Sequence, residues 1–214
     1  MNSKKNILSI ETSSNICGVS FISKGVCIET IEQDSKKKHA ELLPDFYSRL
    51  KNTTGFILDD IDAIAISIGP GSFTGLRIGL SFAKGLAYSK NLPIIPISTM
   101  MSLAYSLKDS CPDKGIIYSH AKRVFFQDIK WQKEIPYPVG DIRVYEWNEV
   151  FEYINNVFCF WSKHFIGLSL HPIGNKSCNI KYVPLIKLLE SKYFICTSVI
   201  LILFRNSSKS SISL

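Results

Sequence analysis

The stretch Ser67-Ile68-Gly69-Pro70-Gly71-Ser72-Phe73-Thr74-Gly75-Leu76-Arg77-Ile78-Gly79 sets a glycine-rich turn between a nearly unbroken apolar run over residues 61–68 and a helical pattern over 75–90. A strand buried on both faces that feeds a helix through glycines is an α/β signature. Such a turn also aims unpaired N–H groups and the positive end of the helix at whatever lies above it, as in phosphate loops. Three familiar versions fail. A Walker loop needs Lys-Ser/Thr after its last glycine, and Leu76-Arg77 stands there. A dinucleotide fingerprint needs an acid about 20 residues on, but no Asp or Glu occurs from Arg77 to Lys108. A nucleophile elbow needs G-x-S-x-G, whereas Gly71 directly precedes Ser72. Gly69, Gly71 and Gly75 then read as turn-makers, with Ser72 or Thr74 as helix cap. Beyond them Gly75, Gly79, Ala83 and Ala87 recur every four residues. This low-relief stripe is either an internal contact or a docking face for another helix.

Working outward, residues 7–10, 17–22 and 26–31 read as three strands, the last two joined by a hairpin at Ser23-Lys24-Gly25. The first ends on Glu11. Leu42, Leu43, Phe46 and Leu50 then fall on one helical face, with Pro44 predicting a bend or a late start. A strand over 94–97 follows the second helix. This order predicts an α/β half-domain of mixed pairing with right-handed crossovers. Cys111-Pro112-Asp113-Lys114-Gly115 is turn chemistry near a boundary. Beyond it strands are expected over 116–118, 124–129 and 165–170, with helices over 150–157 and 185–189. The apolar run over 193–204 is expected to be a buried strand, and the serine-rich end over 205–214 to fray.

The chain has 214 residues, 46% of them hydrophobic and 20% charged, which suits a globular protein of one large or two small domains. Its net charge of +7 favours acidic partners such as RNA, but solubility alone accounts for so mild a surplus without a dense cluster and is the preferred reading. The six cysteines form no C-x-x-C pair and the four histidines are dispersed, so no metal site is expected, and the thiols read as buried or idle. The run over 193–204 is twelve residues long, short of the roughly 20 a membrane helix needs. With no secretion signal at the start, a cytoplasmic location is expected.

The segments IETSS from Ile10, HAELLP from His39, and SIGPGSFTGLRIGLSFAKGLAYS from Ser67, continuing through Pro93 to Met100, closely resemble the bacterial TsaB family, also called YeaZ. The resemblance covers about half of the chain. It implies an actin/hexokinase/Hsp70-like (ASKHA) two-lobed α/β fold with mixed sheets flanked by helices, divided here into lobes 1–109 and 110–214. It also implies a non-catalytic scaffold and activator of a TsaD-like subunit, which forms threonylcarbamoyladenosine next to the anticodon of tRNAs. A TsaE-like ATPase is implied as a further partner, tRNA as a ligand of the complex, and no cofactor of the chain's own. Self-association through the same helices is left open for the chain alone. TsaD-like proteins carry metal-binding histidines where this chain has Ser98-Thr99-Met100-Met101-Ser102-Leu103, and these side chains are poor donors for a transition metal. Glu11 lacks the second acid that would help it hold Mg²⁺, so it reads as structural. The resemblance places partner contacts on Leu42, Leu43 and Phe46 of the first helix and Leu76, Gly79, Leu80, Ala83 and Ala87 of the second. The small-residue stripe is the favoured docking face, so Ala83→Arg is expected to block docking while the monomer stays folded. In the second half, Ser119-His120-Ala121-Lys122-Arg123-Val124-Phe125 departs from the family's Asp-Ala-Arg-x-Gly-Glu-Val pattern. The competing class is a degenerate ASKHA enzyme, either an ATP-dependent transferase or a peptidase-like protein.

Overall fold

A computed structural model describes residues 5–35, 37–119, 122–150, 158–161 and 181–184. Two compact units divide them, the first running to Ser102 and the second starting at Leu103. In the first, β1 (Asn6–Glu11), β2 (Ile16–Ser23) and β3 (Val26–Asp34) form an antiparallel meander. After α1 (His39–Thr54), β4 (Ala63–Gly69) pairs parallel to β1. After α2 (Phe73–Lys90), β5 (Ile94–Ser98) pairs parallel to β4. The spatial order is β3-β2-β1-β4-β5.

Alternation along the strands decides which residues meet the helices. Leu8, Ile10, Val19, Phe21, Ile64 and Ile66 join Leu43, Phe46 and Leu50 of α1 and Ala83 and Ala87 of α2 in one buried cluster. Ile7, Ile22, Ala65 and Ile97 form a second. Pro44 lies inside α1 without ending it. That helix stops where Gly55 takes a left-handed conformation, φ 74°, and returns its N–H to the carbonyl of Lys51. α3 (Thr99–Ser106) follows β5 directly, and its Met100, Met101, Leu103 and Ala104 are buried.

The second unit repeats the topology. β6 (Lys114–Tyr118), β7 (Arg123–Gln132) and β8 (Ile135–Glu146) are antiparallel neighbours. After the short α4 (Trp147–Val150), β9 (Phe158–Trp161) lies parallel to β6, and β10 (Lys181–Pro184) lies parallel to β9. The order is β10-β9-β6-β7-β8, which is the first sheet's arrangement strand for strand. Ile116, Val124, Phe126, Trp147 and Val150 form its core.

The expected strands over 116–118 and 124–129 lie within β6 and β7. β8 had no sequence expectation because Pro136, Pro138 and Gly140 break its pattern. As the outermost strand of its sheet it tolerates prolines that an interior strand would reject. The helix expected over 150–157 shares only Val150 with α4; residues 151–157 lie outside the described residues, as do 165–170, 185–189 and 193–214.

Candidate functional site

The glycine loop sits where β1 and β4 end side by side. Gly69 has φ 104°, a backbone state that side-chain-bearing residues rarely adopt. Gly71, Gly75 and Gly79 are required for another reason: a Cβ at each would overlap, in turn, the carbonyl oxygen of Ser13, the carbonyl oxygen of Thr12 and the hydroxyl of Thr12. The turn after β1 is thus pressed along the start of α2 and fixed by Ser72 N–H donating to the Ser13 carbonyl at 2.6 Å. Ser72 is the cap, its hydroxyl accepting from Gly75 N–H at 3.2 Å, while Thr74 is exposed. The loop therefore clasps the chain's own backbone.

The small-residue stripe faces the same way. Gly79 is buried, Ala83 is 0% exposed and Ala87 6%, all against their own sheet. Leu43 and Phe46 of α1 are equally enclosed, at 0% and 1%. These five residues are not a free docking surface, and Ala83→Arg would put a charge into the core instead of leaving the monomer folded. The four-residue spacing identified the stripe correctly, but small residues on this helix let β1 and its turn come close. Leu42, Leu76 and Leu80 are half-buried, Leu42 and Leu80 packed on the edge of the core.

The outward side of the two helices holds a groove of about 360 Å³ lined by Ala40, Leu43, Pro44, Arg77, Ile78, Ser81 and Phe82. Tyr47 of α1 meets Phe82 of α2 edge to face, with centroids 5.8 Å apart, so the groove is built on a rigid aromatic contact. Pro44 contributes to its wall and has no N–H to give to the carbonyl of Ala40 one turn earlier. At the rim the Arg77 guanidinium lies 3.8 Å over the ring of Phe73. Apart from Leu43, none of the lining was expected. The available signal was that α2 carries Leu76, Ile78, Leu80, Phe82 and Leu86 besides its small stripe, more apolar surface than one buried face can absorb.

His39, the first residue of α1, is buried and ties the helix to the turn after β1, its Nε2 donating to the Ser14 carbonyl at 3.0 Å and its Nδ1 lying 3.1 Å from the Ser35 hydroxyl. Glu11 is 1% exposed and accepts from Ser13 N–H at 2.6 Å. Burial pushes its carboxyl pKa up, and hydrogen bonds from Ser13 oppose the rise. Gly18 of β2 lies between Glu11 of β1 and Glu32 of β3 in register, so both acids share one face with no side chain between them. Burial first, and the Glu11 charge second, raise Glu32 to about 7. Burial and the same charge raise the Cys17 thiol to about 12, leaving it unreactive. Cys17, buried, and Cys111, exposed, are free thiols. Among the described residues, no three His, Cys, Asp or Glu side chains converge as metal ligands, and no helix is long and apolar enough to cross a membrane.

The strand order, the acid ending the first strand and the helices behind the sheet define the α/β, actin/hexokinase/Hsp70-like class. Two solved structures share the fold. "YeaZ from Pseudomonas aeruginosa" has a TM-score of 0.59 at 25% identity, covering 65% of this chain and 66% of that one. A structure titled as an uncharacterized protein with similarity to peptidase YEAZ, also from Pseudomonas aeruginosa, has a TM-score of 0.63 at 22% identity, covering 73% and 75%. In sequence, the chain is 30% identical over 147 residues to the tRNA threonylcarbamoyladenosine biosynthesis protein TsaB of Haemophilus influenzae, covering 67% of this chain and 61% of that protein. It is 39% identical over 98 residues to TsaB of Escherichia coli, covering 46% and 42%. The family described as "TsaD: tRNA N6-adenosine threonylcarbamoyltransferase" matches residues 28–119. The chain belongs to the TsaB (YeaZ) family and spans 61% and 42% of the length of these two relatives.

Proposed function

We propose that this chain is a non-catalytic scaffold and activator in the formation of threonylcarbamoyladenosine next to the anticodon of tRNAs. It docks a TsaD-like catalytic subunit on the outer groove of α1 and α2. Residues 1–109 form the docking lobe and 110–214 the divergent second lobe, a TsaE-like ATPase joins the pair in the cytoplasm, and tRNA binds through the complex. In the absence of the partner the same helices support a homodimer, because a two-fold contact reuses one patch on both copies.

The observation that carries this reading is the apolar groove on the outer side of α1 and α2, walled by Pro44, Ile78 and Phe82. It lies beside a glycine loop already filled by the chain's own Thr12-Ser13 backbone. A surface of this shape suits a helix laid into it. Leu42, Leu76 and Leu80 flank the contact, and the residues facing the sheet serve it only by holding the helices in place.

The test combines the full chain with TsaD- and TsaE-type subunits, threonylcarbamoyl-adenylate, ATP and tRNA. Modified adenosine is expected only when this chain and the TsaD-type subunit are both present. Ser81→Arg, an exposed change in the groove, is expected to abolish association while leaving the melting curve unchanged. Product from the isolated chain would instead support an enzyme, and full association by Ser81→Arg would remove the groove as the docking site.

A further inference from the structure

Two charged side chains on this side of α2, Arg77 and Lys84, are exposed and meet no carboxylate among the described residues, and of the two only Arg77 lines the groove. Arg49, Lys90 and Arg143 each meet an acid of their own chain, Asp45, Asp59 and Asp128. α2 carries Arg77, Lys84 and Lys90 and no acid at all. Phe73, one turn earlier, is 66% exposed, an uneconomical place for a phenylalanine unless its ring has a task. Its ring lies 3.8 Å from the guanidinium. Stacking of this kind restrains a flexible arginine before any partner arrives and leaves its N–H edge available to an acceptor in the guanidinium plane.

We infer that Arg77, held in place by Phe73, is the polar anchor of the docking face and receives a carboxylate from an otherwise apolar helix of the partner subunit. This rests on the docking reading above and deepens it. A carboxylate fits better than a nucleic-acid backbone. The guanidinium fork matches one planar carboxylate bidentately, whereas a run of phosphates is held by several cations in series. The neighbouring lining of Ala40, Leu43, Pro44, Ile78 and Phe82 offers no second cation. A single charge pair beside an apolar strip fixes the register of a helix and turns away helices that lack the acid. Arg77 is thus a specificity residue of the interface.

The experiment titrates full-length chain with the TsaD-type subunit by isothermal calorimetry at several salt concentrations, using Arg77→Gln, Arg77→Lys, Phe73→Leu and Ser81→Arg. Arg77→Gln is expected to raise Kd by roughly tenfold or more and to flatten its salt dependence. Arg77→Lys should recover part of that loss, because a point charge replaces the fork, and Phe73→Leu should weaken binding by roughly threefold. All four should melt as the parent does. Wild-type affinity for Arg77→Gln beside lost binding for Ser81→Arg would overturn the anchor and leave the docking reading standing. Wild-type affinity for both would overturn the two together. If Arg77→Gln left subunit affinity unchanged but loosened tRNA on the assembled complex, the acceptor would be phosphate and the inference would fail.

Discussion

The two sheets have the same strand order and pairing senses, yet they are made of different material. β1 and β4 are buried along almost their whole length, with Leu8, Ile64, Ala65 and Ile66 at 0% exposure, because helices or buried residues cover both faces. β8 in the second sheet is exposed over most of its length, with Ile142 at 42% and Val144 at 55%. Topology thus comes from the sequence of hairpins and crossovers, while what covers each sheet is a separate matter. Only the first unit shows, among the described residues, two full helices against its sheet and an outward groove between them.

The sharpest way to break the contrast is Ala83→Arg. An unpaired charge in the first core should cost on the order of 4 kcal/mol, so urea denaturation should find this variant largely unfolded; a native-like midpoint would mean that α2 does not face its sheet. Phe46→Ala and Phe126→Ala compare the two cores directly. Each removes a large buried ring, at a cost of about 3 kcal/mol, and a calorimetric scan should show whether they move one transition or two.

Acidity distinguishes the first sheet as well. A carboxyl raised to about 7 in the folded chain holds its proton more tightly than in the unfolded chain. Its stabilising contribution is complete below the ordinary carboxylate range and declines as pH rises to about 7. Glu32→Gln should therefore gain stability relative to the parent between pH 5 and 8, by roughly 1–2 kcal/mol once solvent screening is allowed for. A difference independent of pH would remove the burial account of Glu11 and Glu32. The smallest effect belongs to Ser72→Ala, which should lose about 1 kcal/mol of capping energy, read as a drop in melting temperature.

The first hundred residues were legible because their signals agree: apolar runs bounded by turns, a helical period around Phe46, glycines between a buried strand and a helix. Legibility failed over direction. The recurrence of Gly79, Ala83 and Ala87 says that something approaches closely, and periodicity alone does not say whether that is a neighbour or the helix's own sheet. The answer lay in Thr12, 67 residues before Gly79, a contact no local window contains. The groove was missed for a related reason, since Pro44 and Ser81 face each other only after both helices are laid on the sheet. In the second half, β8 was hidden by two prolines that an edge position accommodates.

The clasp between the glycine loop and the Thr12-Ser13 backbone also limits redesign. Installing Lys-Ser in place of Leu76-Arg77 would supply the cation and hydroxyl of a nucleotide loop without its vacancy, since the Thr12-Ser13 backbone lies against its glycines. To admit a triphosphate, the end of the first strand would have to be peeled away and rerouted. Opening such a loop to a phosphate is a problem of excavation before it is one of chemistry.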